Sequence, residues 1–267
     1  NLTKEGTGVF VIKGANTYTG NTTVNAGTLR LGASESITNT GILTVNASGI
    51  FEMRDFNETV ANIAGAGIIR NGGAATSLLT MGSNNLPSTY SGILEDGSGI
   101  LALTKNGSGI VTLSNTNTYS GTTLINAGGI LAANNTALGN ATGATTVISG
   151  AVLQIQGGVQ IADNISMNGT GLSSLGAIIS KSGDNVLTGN VVTGTAASSI
   201  RVEAGNLRLQ GTTTMGGNLT LGGAGTSLTH AGDLVSTGTL TWDGAIAQTY
   251  AGRISGTANV QKSGAGT

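Results

Sequence analysis

The acidic residues are the side chains of this sequence that come nearest to a catalytic pattern. Glu95 and Asp96 are adjacent, and a second group occupies the stretch FEMRDFNE at 51–58. Glycoside hydrolysis requires two carboxyl groups about 5–10 Å apart across a cleft. Neighbouring residues of a β-strand point to opposite faces of the sheet, so Glu95 and Asp96 match that requirement poorly. The second group is the stronger candidate for a site.

The second group places four charged residues within seven positions of a chain that has few charges. Its members are Glu52, Arg54, Asp55 and Glu58. The ordinary interpretation is a polar outer strand followed by a loop. The alternative is a small ionic patch that contacts a partner. In that case, replacing Arg54 and Asp55 together by alanine should reduce binding.

The other residue types that support catalysis or metal binding are scarce. His230 is the only histidine and cysteine is absent, which excludes paired-histidine metal sites, zinc–sulfur sites and thiolate chemistry. We therefore expect His230 to be an ordinary solvated or turn residue. The Gly-x-Gly pairs are never completed to Gly-x-Gly-x-x-Gly, so no dinucleotide site is indicated. The sequence predicts no catalytic residue, no metal and no cofactor.

Composition limits the partners that the chain could bind. The sequence has 11 basic and 12 acidic residues, and only 9% of its residues are charged. Such a balance gives no strong electrostatic attraction to nucleic acid, so nucleic acid is not an expected partner. No run of 18 apolar residues is present, and a membrane-spanning helix is not indicated.

Apolar residues alternate with polar ones in short runs, which is the pattern of half-buried strands. The pairs predicted to face inward are Leu29 and Leu31, Phe51 and Met53, Leu153 and Ile155, and Leu207 and Leu209. Strands of four to six residues are expected. Helical spacing is not sustained anywhere, and Gly, Asn, Ser and Thr separate the strands as turn residues. The fold class is predicted to be all-β.

One phrase recurs along the chain. NTYTGNTTVNAG at 16–27 is repeated as NTYSGTTLINAG at 117–128, and 13 of 31 positions are identical between residues 2–32 and 103–133. A third opening, VQKSGAGT, occupies residues 260–267. Local sequence that recurs with spacers of unequal length is typical of a solenoid, in which each unit contacts mainly its neighbours. At about 20–25 residues per coil, the sequence predicts a single β-solenoid segment over 1–267, with about 11–13 coils, as a fragment of a longer protein.

The repeated phrase closely resembles the autotransporter-associated β-strand repeat, which occurs in passenger domains of large autotransporters of Gram-negative bacteria. The first copy carries the pattern through Lys4, Gly6, Gly8, Asn16, Thr17, Tyr18, Gly20, Thr22, Asn25, Ala26 and Gly27, and the second through the matching residues from Lys105 to Gly128. The resemblance implies a right-handed parallel β-helix. It also implies export through the periplasm and outer membrane by a C-terminal β-barrel translocator outside this fragment, with a final place at the cell surface or in the medium.

The resemblance assigns structural roles to the residues of the repeat. Every tyrosine lies in Thr-Tyr-x-Gly, a phrase expected to form a turn between faces, although a ligand-binding tyrosine is the alternative. The turn residues are Tyr18, Gly20, Tyr90, Tyr119, Gly121 and Tyr250. The glycine is expected to adopt a conformation that other residues resist. Asn25 and Asn126 are expected to stack in turns and to bond free backbone groups.

The function expected from these features is structural and adhesive. The segment would contact a host surface protein or glycan, or would associate with other passengers in cell–cell aggregation. A passive stalk that presents a distal domain is the first alternative. A polysaccharide-acting β-helix enzyme is the second, because parallel β-helices also include such enzymes.

Overall fold

Parallel strands account for the regular structure of the chain in the computed structural model, which describes residues 1–265. The glycine, asparagine and serine turns leave room for strands of mostly two to six residues. In this described part there is no α-helix, and the helical content is one 3₁₀ turn at Leu172–Ser174. The chain divides into two compact units. The first contains residues 1–128 and 136–143, and the second contains residues 129–135 and those from 144 onward.

The first unit is built from thirteen strands. They are β1 (Leu2–Lys4), β2 (Val9–Ile12), β3 (Thr22–Leu31), β4 (Ile42–Glu52), β5 (Glu58–Thr59), β6 (Asn62–Gly65), β7 (Ile68–Arg70), β8 (Thr76–Met81), β9 (Ser88–Tyr90), β10 (Ile93–Glu95), β11 (Ile100–Lys105), β12 (Ile110–Leu113) and β13 (Thr123–Ile125).

These strands form three faces, and each strand pairs in parallel with its equivalent in the next coil. The first face has the order β1, β3, β4, β6, β9, β12. The second has the order β2, β3, β4, β7, β10, and the third β5, β8, β11, β13. The long strands β3 and β4 pass through the bend between the first two faces, so each contributes to both.

The core of the first unit consists of columns of apolar side chains stacked from coil to coil. Leu29, Phe51, Ile69 and Leu94 are register partners in successive strands of the second face, and each is 0% exposed. The inward assignment of Leu29, Leu31, Phe51 and Met53 from alternation is confirmed. Each fully buried side chain of this size contributes about 1.5–3 kcal/mol through removal of apolar surface from water.

The two copies of the repeat begin on different faces of the first unit. On the first face, each strand has a register partner in the next coil. Five coils after Lys4, the residue at the equivalent position is Leu113 in β12. Lys105 comes eight residues before Leu113 and lies in β11, on the third face. The repeat spacing is therefore not a whole number of coils.

As far as residue 265, the second unit is built from eighteen strands. They are β14 (Gly129–Ala132), β15 (Thr145–Val147), β16 (Val152–Gln156), β17 (Gln160–Ile161), β18 (Ile165–Met167), β19 (Ile178–Ser182), β20 (Asp184–Leu187), β21 (Val191–Thr193), β22 (Ser198–Val202), β23 (Asn206–Leu209), β24 (Thr213–Met215), β25 (Leu219–Gly223), β26 (Ser227–His230), β27 (Leu234–Ser236), β28 (Thr239–Gly244), β29 (Ala247–Tyr250), β30 (Ile254–Gly256) and β31 (Asn259–Lys262).

The second unit repeats three short strands per coil. Its faces have the orders β14-β16-β19-β22-β25-β28-β31, β15-β18-β21-β24-β27-β30 and β17-β20-β23-β26-β29. Ile178, Ile200, Leu221 and Trp242 are successive register partners, so one coil takes 21 or 22 residues. The predicted inward pairs Leu153 with Ile155 and Leu207 with Leu209 are at most 1% exposed.

The fold class predicted from the sequence is confirmed. The chain is an all-β solenoid of parallel strands with about 12 turns, which agrees with the predicted coil length and number. The right hand of the coil and the single-segment organisation over 1–267 stay predictions. Gly266, which completes the third opening of the repeat, lies outside the described residues.

Alanine replacements on the inner and outer sides of the second face should differ in how much they lower the free energy of unfolding. Ile69→Ala should lower the free energy of unfolding by about 2–5 kcal/mol, because it leaves a cavity in a stacked column. Ile68→Ala, at the adjacent outward position, is the control and should cost clearly less. Urea denaturation followed by circular dichroism measures both. Equal losses would contradict the assignment of the two sides.

Candidate functional site

The lysine of the repeat joins two successive coils at a corner. Lys4 lies at the end of β1 and is 7% exposed. Its ammonium donates to the carbonyl oxygens of Glu5 and Gly6 at 2.7 Å, in its own turn, and to that of Ala26 at 3.0 Å, in the next coil. An ammonium has three donors and no acceptor, so the three carbonyls use its full capacity. We call this arrangement the lysine corner.

The second copy repeats the lysine corner. The Lys105 ammonium donates to the carbonyls of Asn106, Gly107 and Ala127 at 2.6, 2.9 and 3.2 Å. Lys105 is 0% exposed, and burial lowers its pKa to about 8, so the side chain is still charged at neutral pH. Lys262 of the third opening makes the first two of these contacts, to Ser263 and Gly264, at 2.7 and 3.1 Å.

The glycine of Asn-Ala-Gly completes the lysine corner because its backbone lies directly on the turn of the preceding coil. Gly27 has φ +66°, and a Cβ there would lie 2.5 Å from the carbonyl oxygens of Gly6 and Gly8. Gly128 has φ +60°, and a Cβ there would lie 2.4–2.5 Å from the equivalent carbonyls of the second copy. Both the left-handed conformation and the close approach require glycine. The recurrence of Lys-x-Gly-x-Gly and Asn-Ala-Gly in one motif therefore has a direct packing cause.

The asparagines of the repeat bond other side chains rather than backbone groups. The Asn25 amide donates to the Glu5 carboxylate at 2.5 Å and accepts from the Asn46 amide at 2.6 Å. The Asn126 amide donates to that of Asn106 at 2.8 Å. Stacking from coil to coil was expected for these residues, but the partners differ from the free backbone groups that the sequence suggested.

Two of the four tyrosines lie between strands, Tyr18 between β2 and β3 and Tyr119 between β12 and β13. The Tyr18 hydroxyl shares a 2.6 Å hydrogen bond with Thr22, and the Tyr119 hydroxyl shares one of 2.8 Å with Thr123. Each threonine is the last residue of the phrase Thr-Tyr-x-Gly-x-Thr. Tyr119 is completely buried, and the hydrogen bond satisfies its hydroxyl inside the protein.

The other two tyrosines end strands. Tyr90 closes β9, is fully buried, and donates its hydroxyl to the Gly67 carbonyl at 2.9 Å. Tyr250 closes β29 and donates to the Arg253 carbonyl at 2.8 Å. Burial raises the pKa of both phenols. Their environments differ from those of the repeat tyrosines, although the local sequence is similar.

The reason predicted for Gly20 and Gly121 is wrong. Neither residue has a positive φ, so neither adopts the left-handed conformation. A Cβ on Gly121 would lie 2.3 Å from the Leu101 carbonyl oxygen, and one on Gly20 would lie 2.0 Å from the Asn1 side chain. Close approach of the preceding coil's backbone therefore requires glycine at Gly121, whereas the first obstacle at Gly20 is a side chain.

The residues predicted to form an ionic patch at 52–58 do not form one surface. Glu52 is 4% exposed and lies between Arg30 and Arg70, with its second oxygen 3.2 Å from Arg70 Nη2. Glu58 is 1% exposed. Arg54 is exposed in the turn after β4. The alternation pattern placed Glu52 on the outer side correctly, but the two arginines cover it.

Asp55 has a structural role in the same turn. Arg54 and Asp55 have φ values of 54° and 70°, which are uncommon for residues other than glycine. The Asp55 carboxylate accepts from the backbone N–H groups of Ala74 and Ala75 at 2.9 and 2.7 Å. These hydrogen bonds lower the pKa of Asp55 and hold the turn against the next coil.

Glu58 is a buried acid and the first residue of β5. Its carboxyl accepts from the backbone N–H groups of Ser36 and Ile37 at 2.9 and 3.3 Å. Burial, with a smaller contribution from the nearby Glu35, raises the pKa of Glu58 to about 8. Glu58 is therefore protonated at neutral pH and is inaccessible to a large substrate.

Glu95 and Asp96 have different partners, as expected for neighbouring residues whose side chains point in opposite directions. Asp96 accepts from the backbone N–H groups of Leu101 and Ser120 at 2.8 and 3.1 Å. Glu95 instead lies 4.0 Å from Arg70 Nη1 on the outer side of the second face. Arg30, Glu52, Arg70 and Glu95 are register partners in four successive coils. We call these four residues the charged row.

The charged row was missed in the sequence. Its members are separated by 22, 18 and 25 residues, so no fixed period reveals them. Alternation placed Arg30 and Glu52 on the outer side of their strands, but it gave no indication that they were neighbours. A coil-by-coil alignment of the outward positions would have found the alternating signs.

His230 is neither solvated nor in a turn, which corrects the expectation from the sequence. It ends β26, is 0% exposed, and bonds Thr213 Oγ1 through Nε2 at 2.8 Å and the Gly232 carbonyl through Nδ1 at 3.0 Å. Its ring lies 5.0 Å from that of Tyr250. Burial lowers the pKa of His230. Alternation along SLTH could have indicated its inward direction.

Residues 1–265 contain few groupings of the side chains that bind metals. In that range no group of three or more His, Cys, Asp or Glu side chains is arranged to hold a metal ion. No helix of the described chain has the length and hydropathy needed to span a membrane. The recurrent geometry is that of the lysine corners and the charged row.

The geometry defines a class of protein, the repeat-built β-solenoids, in which a short motif recurs at coil corners. The family model described as passenger-associated-transport-repeat matches residues 2–31 and 103–133, the stretches that contain the two lysine corners. The adhesin BmaC autotransporter of Brucella suis biovar 1 (strain 1330) is 32% identical over 248 residues. The alignment covers 85% of this chain and 7% of that protein. No solved structure matches.

The chain belongs to the autotransporter passengers that carry passenger-associated-transport repeats. The resemblance stated from the sequence is thereby confirmed. Such a passenger is exported through the outer membrane, so the protein is surface-exposed or secreted.

Loss of one lysine corner should destabilise the first unit. Lys105→Met keeps the aliphatic stem but leaves three carbonyls without their donor. It should lower the free energy of unfolding by about 3 kcal/mol or more, since each buried polar group left unpaired costs about 1–3 kcal/mol. Lys181→Met, which removes an exposed ion pair with Glu203, is the control and should cost at most about 1 kcal/mol. Urea denaturation measures both, and similar values would refute the special role of Lys105.

Glu58 should make the stability of the first unit depend on pH. Below its ordinary pKa of 4.5 the carboxyl is protonated in both the folded and the unfolded chain; above that value the unfolded chain loses the proton while the folded chain keeps it up to about 8. The free energy of unfolding should therefore fall as the pH rises through this window. Glu58→Gln should make the fall shallower between pH 5 and pH 8 in urea denaturation. An identical slope in the variant would show that Glu58 is not the cause.

Proposed function

We propose that this chain is an adhesive segment of its passenger, which contacts a host surface protein or glycan, or another passenger. The similarity to an adhesin autotransporter supports this proposal. Because the chain corresponds to a small part of that relative, the adhesive activity of the relative as a whole is not transferred without a test. A C-terminal β-barrel translocator, encoded outside these residues, is part of the proposal.

The observation that carries the proposal is the rigid outer side of the second face in the first unit. Arg30 and Arg70 are each 33% exposed, and both are held by the buried carboxylate of Glu52. Side chains that are already ordered lose less conformational entropy on binding than free ones. A solenoid surface with such fixed polar groups suits recognition of another extended surface.

The positions of the acidic residues favour binding over catalysis. Glu52 is paired with arginines, Asp96 accepts backbone N–H groups, and Glu58 is buried. A glycoside hydrolase requires two carboxyls that face a substrate across a cleft. These carboxyls serve the corners and faces of the solenoid instead. We therefore propose a non-enzymatic segment.

The passive stalk is the second candidate, and the lysine corners favour it, because they strengthen the connection between coils. The two candidates differ in what removal of the segment does. Bacteria of a non-adherent laboratory strain that display the full passenger are compared with bacteria that display a passenger lacking residues 1–267. Settling of the cells and attachment to host cells are scored together, with surface display matched by antibody labelling.

Loss of settling or attachment at equal display would support an adhesive segment. Retention of both activities would contradict the proposal and leave the stalk. A third strain, carrying Lys181→Met in the full passenger, controls for a substitution at the exposed surface that preserves the solenoid and should behave as the unmodified passenger does.

A further inference from the structure

The second face of the first unit has two outward rows that run from coil to coil. One contains Val9, Thr28, Ile50, Ile68 and Ile93, which are successive register partners. The other contains Val11 followed by the charged row of Arg30, Glu52, Arg70 and Glu95. We call these ten residues the outer strip. Their inward neighbours on β3, β4, β7 and β10 form the buried core column.

The outer strip combines apolar and charged groups, of which all but Thr28 and Glu52, 9% and 4% exposed, are accessible to solvent. Val9 and Val11 are 54% and 41% exposed, and the isoleucines are half-buried. Four β-branched apolar residues in one row are unusual for the outer side of a sheet, where polar residues normally alternate with the core. An apolar centre beside fixed polar groups has the composition of an interface.

The order of charges makes the outer strip complementary to itself in one orientation. Along successive coils the signs alternate as Arg30, Glu52, Arg70, Glu95. A rotation of 180° about an axis parallel to the strands, above the face and midway between β4 and β7, places a second copy face to face with the first. The rotation reverses the order of coils and keeps each row over its equivalent. Arg30 then opposes Glu95 of the second copy, and Arg70 lies over Glu52 of the second copy, which its own two arginines cover.

The same rotation matches the apolar row with itself. Ile50 opposes Ile68 of the second copy, and Thr28 opposes Ile93. Two copies could also face each other with the same coil order and with their charged rows in contact. In that parallel arrangement Arg30 opposes Arg30, and Glu52 opposes Glu52. Like charges placed opposite each other disfavour that pairing. The contact is therefore selective for antiparallel solenoids.

We propose that the outer strip is a contact between two antiparallel copies of this chain. The inference deepens the proposed adhesive function and rests on it, because it names a second passenger as the partner. Such a contact is isologous, with the same residues used by both copies. Passengers that extend from two facing cells run in opposite directions, so this orientation suits contact between cells.

The charge balance of the strip favours another copy over an acidic glycan. Its four charges sum to zero, and both arginines are already paired with Glu52. A polyanionic ligand would gain attraction from the arginines and repulsion from Glu95. A partner with the reversed order of signs gains attraction at both Arg30 and Glu95 without that repulsion.

A single contact of this kind is weak. Five strands at a spacing of about 4.8 Å extend roughly 19 Å. A strip of that length and two side chains wide offers much less area than the roughly 800 Å² per partner of a typical stable interface. Many passengers between two cells would act together, since linked weak contacts gain strength from effective concentration. Association is thus expected between cells that display many copies.

The test uses a variant that reverses every sign of the charged row but keeps its internal pairs. The quadruple variant is Arg30→Glu, Glu52→Arg, Arg70→Glu and Glu95→Arg, in the full displayed passenger. Antiparallel copies of this variant are again complementary to each other. Against the unmodified passenger, however, every opposed pair has like charges. Cells that display either form are labelled with different fluorescent colours and mixed.

Each form should aggregate alone, and the mixture should sort into clumps of single colours. Mixed-colour contacts should fall about tenfold relative to a mixture of two differently coloured unmodified strains, because opposed like charges suppress the wrong pairing. The control is Lys181→Glu with Glu203→Lys, which reverses an exposed ion pair elsewhere and should mix freely. Clumps in which the quadruple variant and the unmodified form mix freely would overturn the proposal.

A second variant covers the case in which the quadruple variant does not reach the surface. Ile50→Ser with Ile68→Ser changes only outward residues and should reduce aggregation at unchanged display. Unchanged aggregation in this variant would overturn the proposal. If unmodified cells fail to aggregate, while removal of residues 1–267 abolishes attachment to host cells, the antiparallel contact is refuted and the adhesive function stands.

Discussion

The structure depends on one requirement, which is that the corner of each coil must stack directly on the corner of the next. Parallel pairing satisfies the backbone hydrogen-bonding groups of the strands, but the turns between strands leave carbonyl groups that need donors. In the repeat, the ammonium of Lys4 or Lys105 supplies three donors to carbonyls of two successive coils. Gly27 and Gly128 permit the backbones to approach closely enough for that bond. The lysine and the glycine therefore act together, because the contact between the two coils needs both the donors and the close approach.

This requirement also explains how the repeat can occur at irregular intervals. A lysine corner needs only its own turn and the corner of the following coil, so its placement on a particular face is free. The two copies in the first unit begin on different faces. Other corners are joined in the opposite sense, as where the Asp55 carboxylate accepts from the N–H groups of Ala74 and Ala75. The unequal spacers thus reflect alternative solutions to one local problem.

The parts of the fold that were predictable are those encoded by neighbouring residues. Alternation identified Leu29 and Leu153 as inward, because side-chain direction within a strand is local. Corner geometry was not predictable, since the burial of Glu58 depends on a coil about twenty residues away. For the same reason the sequence suggested a patch at 52–58 and missed the charged row. The positive φ assigned to Gly20 and Gly121 was wrong, and at Gly121 the approach of the preceding coil explains the glycine instead.

The buried lysine has a consequence for the durability of the protein outside the cell. A protease that cleaves after basic residues must draw several residues around the cleaved bond into its active site. Lys105 is fully buried at the end of a paired strand, with its ammonium bound to three carbonyls. Cleavage there requires the corner to open first. The residue that connects two coils is thus also protected from proteases that cleave after basic residues.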